Sequence, residues 1–192
     1  MTTRIDIKNL MAFIGMAFPN FKPILDGEIN SVDVFHTLLG DIDIADLKTA
    51  VQACCAESGR AFAPSAGEIR GMVTKINIQV QGVPSAGEAW AEIIGSFERM
   101  PGGNMAGGGS TPILDHPVVR EAIRQMGGFR SIDYDNQMAE RAHFLRIYED
   151  ITRREFTKQA QLPAVTEFVE ARRLTIEGEI RKLTDGLSKT QD

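Results

Sequence analysis

Apolar residues recur at steps of three and four along most of the chain, the spacing that keeps them on one face of an α-helix. Ile7, Leu10, Met11, Ile14 and Phe18 form the first such stripe and predict a helix from Ile5 to Phe18, ended by Pro19-Asn20. Phe21 and Ile24 begin a short connector. A second helix is predicted from Glu28 to Leu39, with Val32, Phe35, Leu38 and Leu39 on its apolar side and Gly40 as its stop. Asp43 is placed to cap a third, running to about Glu57 with Leu47, Ala50, Val51 and Cys54 inside. Ser65 followed by Glu68 has the spacing of a capping box and opens a fourth helix carrying Ile69, Met72, Val73 and Ile76. Ile76 to Val80 also alternates apolar and polar residues, as a strand does, but no pairing strand is evident and helix is the better reading.

Gly82-Val83-Pro84 marks a boundary. Ser85 with Glu88 makes a second capping box, and Trp90, Ile93, Ile94 and Phe97 line the helix that follows to about Met100. Residues 101–112 are dominated by glycine and read as a solvated loop, since the Gly-Lys-Ser/Thr of a phosphate cradle is missing. Asp115 is positioned to cap a short helix from Pro117 to Met126, and Phe129 and Ile132 are expected to tuck under the next element. A long helix is predicted from about Asn136 to Lys158, its apolar positions being Ala142, Leu145, Ile147, Tyr148, Ile151 and Phe156. After Pro163 a thin stripe of Val165, Val169, Ile176, Ile180, Leu183 and Leu187 runs through a strongly charged segment. That stripe is too narrow to make a domain alone and calls for a partner surface. The expectation is an all-α chain: a multi-helix head over 1–81, a second helical region over 85–158 and an amphipathic tail over 163–192.

Composition narrows the function classes. With 43% hydrophobic and 24% charged residues the 192-residue chain is neither disordered nor membrane-embedded in character. No segment has the uninterrupted apolar length of a membrane span, and the amino terminus lacks the layout of a secretory signal, so a cytoplasmic location is expected. A net charge of -5 argues against strong direct contact with DNA. Only the end beyond about Ala139, where acids and bases balance and Arg153-Arg154 and Arg172-Arg173 appear, offers a basic surface. Cys54 and Cys55 are adjacent, a poor geometry for a bridge, and read as one core thiol and one on a helix flank. His36, His116 and His143 stand apart from any second metal ligand. Asp41, Asp43 and Asp46 lack the spacing of a calcium loop and read as caps and a solvated acidic face. No nucleophile elbow, dinucleotide fingerprint or phosphate loop is present, so no catalytic residue, cofactor or metal is expected.

Several phrases in order carry a resemblance. Phe18-Pro19-Asn20-Phe21-Lys22 follows the first amphipathic helix; Leu38-Leu39-Gly40-Asp41-Ile42-Asp43 ends the second; Phe62-Ala63-Pro64-Ser65 leads into a helix containing Glu68-Ile69. Gly87-Glu88-Ala89-Trp90 and the run from Arg141 to Glu149 come later. Over roughly Ile5 to Phe156 the chain resembles the bacteriophage replicative-helicase loader and inhibitor family. The resemblance implies a helical head, a more mobile carboxyl-terminal part and no ATPase activity. It implies two partners, a ring-shaped replicative DNA helicase and an origin-binding initiator. The glycines between Gly102 and Gly109 depart from the tighter helix connection that the family leads one to expect. The contact points expected on this reading are Arg146, Tyr148, Arg153, Arg154, Phe156, Val169, Ile176, Ile180 and Leu183. The competing reading is a helix-turn-helix nucleic-acid-binding protein, against which stands a third helix whose one basic residue is Lys48.

Overall fold

A computed structural model describes residues 2–98 and 116–188, giving the backbone alone for 97–98, 134 and 182–188. Among the described residues it contains eight α-helices, two short 3-10 turns and no strand. The helices are α1 (Arg4–Ala17), α2 (Ser31–Leu39), α3 (Ile44–Cys55), α4 (Ala66–Val80), α5 (Ala86–Glu98), α6 (Pro117–Gln125), α7 (Gln137–Ala160) and α8 (Pro163–Ser188). The 3-10 turns cover Phe129–Ser131 and Tyr134–Asn136. The all-helical reading of the sequence holds, and Ile76 to Val80 is helical. The glycine-rich stretch 101–112 lies outside the described residues.

The chain divides into two compact units, one of Met1–Val73 with Ala160–Asp192 and one of Thr74–Gln159. In the first, α1 packs on α2 and α3. Ile7, Leu10, Met11 and Ile14 from α1 are buried, as are Leu47, Ala50, Val51 and Cys54 from α3, the stripes that periodicity predicts. Leu39, Ile69 and Val73 complete this core. α1 begins with a capping box that the sequence reading did not single out: Thr3 N–H donates to Asp6 Oδ2 at 3.0 Å, and Asp6 N–H donates back to Thr3 Oγ1 at 3.2 Å. α2 starts at Ser31, three residues later than predicted, because the Asn30 side chain caps it by accepting from Asp33 N–H.

At the predicted stop only glycine fits: a Cβ at position 40 would lie 2.6 Å from the His36 carbonyl oxygen. The turn is tied down on both sides. Thr2 donates its N–H to Gly40 O and its hydroxyl to Ile42 O. Arg70, only 9% exposed, donates to Leu38 O and pairs with Asp41. A buried guanidinium is tolerable only with such partners. The Ser65–Glu68 capping box is present, with Ser65 N–H donating to Glu68 Oε2 at 2.8 Å and Glu68 N–H to Ser65 Oγ at 3.3 Å. Arg60 donates to Glu57 and Glu68 beside it.

The second unit is built on aromatic rings. Phe144 is fully buried, with the Trp90 ring 5.5 Å away and the Tyr148 ring 5.4 Å away, both tilted. Ala89, Ile93, Val119, Ala122, Ile123, Met126, Phe129, Ile132 and Ile151 close around them. Phe129 and Ile132 are thus buried as expected. Ser85 and Glu88 form the predicted box, with Ser85 N–H donating to Glu88 Oε2 at 2.8 Å. His116 caps α6, its Nδ1 accepting from Val118 N–H at 3.2 Å, while Asp115, the expected cap, lies outside the described residues.

Candidate protein-docking surfaces

On α7 the residues singled out from sequence divide by helical position. Phe144, Tyr148 and Ile151 recur at i, i+4 and i+7 and are buried. Tyr148 therefore belongs to the core, at 2% exposure, and its hydroxyl donates to Pro84 O at 2.7 Å. Burial, helped by the nearby Glu92 and Glu88 carboxylates, pushes its hydroxyl pKa up to about 12. Its ring offers no outer face to a partner in this arrangement. Arg146, Arg153 and Arg154 are exposed, and Arg153 and Arg154 both pair with Asp150, one turn earlier. Such exposed pairs add little stability. Two guanidiniums share this one carboxylate, with Glu149 and Glu155 close by in sequence, so the place carries mixed charge. Phe156 follows, 36% exposed.

On α8 every described residue from Pro163 to Arg181 is exposed apart from Thr166. The apolar members are no exception: Val165 is 41% exposed, Val169 51%, Ile176 45% and Ile180 55%, with Phe168 and Leu174 beyond them at 69% each. A solvated row of β-branched residues at helical spacing is what periodicity predicts for a stripe without a covering element. Leu183 continues the spacing, but its side chain lies outside those described. Arg173 Nε donates to Glu177 one turn on, at 2.8 Å.

A third surface was missed in the sequence. On the first unit, α1 and α3 leave a groove of about 260 Å³ whose floor is Leu10, Phe13 and Val51 and whose rim is Asp6, Asn9, Lys48 and Gln52. Phe13 is 41% exposed, and Ile5 and Met16 on the same helix are 72% and 78% exposed. The signal was available: Ile5, Phe13 and Met16 form a second apolar set beside the stripe that is buried.

The acidic residues Asp41, Asp43 and Asp46 are largely accounted for by structure. Asp41 pairs with Arg70, Asp43 caps α3 by accepting from Ala45 N–H, and Asp46 lies in the first turn, where a negative charge is favoured. Cys54 is buried and Cys55 half-buried, and burial raises both thiol pKa values. Among the described residues no three His, Cys, Asp or Glu side chains gather as a metal site. No described helix is long and apolar enough to cross a membrane.

The head is where comparison with known proteins bears. Residues 1–70 match the family model of the N-terminal domain of phage helicase inhibitor/loader-type proteins. That match fits a phage helicase loader and inhibitor family, and bears out the resemblance read from the sequence over this part of the chain. The matched span runs from the first capping box to Arg70, whose guanidinium holds the α2–α3 turn. The domain family is not itself a catalytic one. No curated protein and no solved structure gives a match.

Proposed function

We propose that the chain is a phage DNA-replication adaptor: it binds the replicative DNA helicase of the host cytoplasm, restrains the ring, and delivers it to an origin-bound initiator. The observation that carries this reading is the match of residues 1–70 to the N-terminal domain of phage helicase inhibitor/loader-type proteins. The solvated apolar row on α8 supports it, since an amphipathic helix with one uncovered side is a ligand for a groove on another protein. The contacts proposed are Arg146, Arg153, Arg154 and Phe156 on α7 and Val169, Ile176, Ile180 and Leu183 on α8; Tyr148 is left out because the core uses it. Such an adaptor works by binding alone, without its own catalysis. No observation favours the helix-turn-helix reading, because α3 carries a single basic residue, Lys48.

The test is affinity purification of the tagged full chain from its host, followed by calorimetry with the purified helicase. Recovery of the replicative helicase is expected, and Arg153→Glu with Phe156→Asp is expected to weaken its binding at least tenfold while the unfolding midpoint of the chain stays unchanged. A full chain that retrieves no helicase and gives no heat with the purified ring removes the proposal.

A further inference from the structure

Val165 and Ile176 are eleven residues apart, and so are Val169 and Ile180. In sequence the repeat extends to Arg172 and Leu183, and to Ile176 and Leu187. Eleven residues advance about 20° past three full helical turns, so such a row stays nearly straight along a helix, and two helices that share the pattern wrap with a slight right-handed supercoil. At about 100° per residue Val165, Val169, Ile176 and Ile180 fall within roughly 60° of one another. This width is that of a seam between two helices and narrower than the face a helix presents to a globular core.

Charges flanking the row say which helix fits it. Arg172 borders one side together with Glu179, and Arg173 and Glu177 border the other. Arg173 is already paired with Glu177 along the helix, whereas neither Arg172 nor Glu179 forms an ion pair with another described side chain. A parallel copy in register would bring the two Arg172 side chains together beside Arg173, and the acid on that flank, Glu177, is already paired with Arg173 along its own helix. An antiparallel copy whose two-fold axis passes at Ile176 does the opposite. It places Arg172 of each chain beside Glu179 of the other, twice by symmetry, and sets Arg172 level with Ile180 and Val169 level with position 183.

We propose that the exposed row of α8 is an interface between two copies of this chain, arranged antiparallel about Ile176. The occupant is a second α8, selected by the shared eleven-residue repeat and by the reciprocal Arg172–Glu179 pairs. The surface overlaps the one proposed for the helicase, and only its consequence rests on that reading: a chain paired with its own copy withholds the row from the ring until the pair separates.

Sedimentation equilibrium of the full chain, without helicase, reads the self-association directly. A dimer is expected at concentrations on the order of 100 μM, dissociating on dilution. Arg172→Glu is expected to weaken it about tenfold and Arg172→Glu combined with Glu179→Arg to restore it, because the swap recreates both cross-chain pairs. Orientation is read with a short bis-maleimide in a Cys55→Ser background, where the remaining native thiol, Cys54, is 1% exposed. Ile176→Cys is expected to give a cross-linked dimer and Val165→Cys none, since antiparallel packing carries the two Val165 positions about 33 Å apart. A chain that stays monomeric at that concentration overturns the proposal, and so does a dimer that cross-links through Val165→Cys. A monomer that still binds the helicase removes this inference alone, and a dimer that ignores the helicase removes only the proposed function.

Discussion

Replacing Tyr148 by phenylalanine removes one oxygen from the core of the second unit and leaves the Trp90–Phe144–Tyr148 ring cluster its shape. The hydroxyl donates to Pro84 O at 2.7 Å, and the side chain is 2% exposed. Losing that bond strands a partly buried carbonyl and is expected to cost about 1 kcal/mol at pH 7. The difference between the two proteins should then change with pH. Folding raises the Tyr148 pKa to about 12, against about 10 in an unfolded chain. The fold therefore favours the neutral phenol, an advantage complete below pH 10 and lost as pH climbs towards 12. At pH 11 the unfolded phenol is ionised and the folded one mostly is not, which costs the wild type about 1.4 kcal/mol of stability. Phenylalanine carries no such loss. Groups common to both proteins cancel in the comparison. Urea unfolding followed by fluorescence of Trp90, the sole tryptophan, should show the variant about 1 kcal/mol weaker at pH 7 and equal to the wild type, or slightly stronger, near pH 11. A stability gap that is the same at both pH values refutes the assignment of a raised pKa to a buried, donating Tyr148.

Ser65→Ala is expected to destabilise the first unit by about 1 kcal/mol in thermal unfolding, because it removes the acceptor for Glu68 N–H. The Ser65 N–H and hydroxyl both hold the Glu68 carboxyl below its usual range; the variant keeps the first and loses the second, a contribution present above that range and lost as pH falls, so part of the deficit should vanish below about pH 4. Phe144→Ala leaves a cavity at a site with no exposure and should cost about 3–5 kcal/mol, read as a shift of the Trp90 emission and of the urea midpoint. Thiol labelling of the native chain should modify Cys55 well before Cys54, which reacts only through opening of the core.

Local chemistry made much of the fold legible. The stripes on α1 and α3, the two Ser–Glu boxes and the Asp43 cap each depend on residues two to four apart, so the sequence alone displays them. Boundaries were harder. Glu28 looked like a helix start, but Asn30 has the side chain that satisfies a free N–H, and the chain turns into α2 there. Asp115 was the conventional cap for Pro117, yet the imidazole of His116 supplies the acceptor. On α7 the apolar residues are spread around the helix, and periodicity passed over Phe144, the most buried aromatic of the unit. Whether Tyr148 faces inward depends also on Trp90 and Pro84, which sequence spacing does not bring beside α7. The α1–α3 groove was only half legible: Ile5, Phe13 and Met16 stand out as a second apolar set, but the packing of α3 is what shows which set is covered.

The two exposed apolar surfaces differ in what holds them. The groove of Leu10, Phe13 and Val51 is shaped by α1 and α3, and Leu10 and Val51 also belong to the packed stripes of those helices, so its form does not depend on a ligand. α8 has no such support. Almost every described residue between Pro163 and Arg181 is exposed, and the helix interior includes Gly178. A helix held by its own backbone bonds and by local pairs such as Arg173–Glu177 is marginal in water, since most helical stability in proteins comes from packing an apolar side. Under either proposal, covering Val165, Val169, Ile176 and Ile180 would add the packing that α8 lacks in the single chain. Order and contact are coupled in such an element, and part of the contact energy is spent on holding the helix. Affinity is then set lower than the buried row alone implies. That coupling suits an adaptor, which has to hold its partner firmly enough to restrain it and weakly enough to leave.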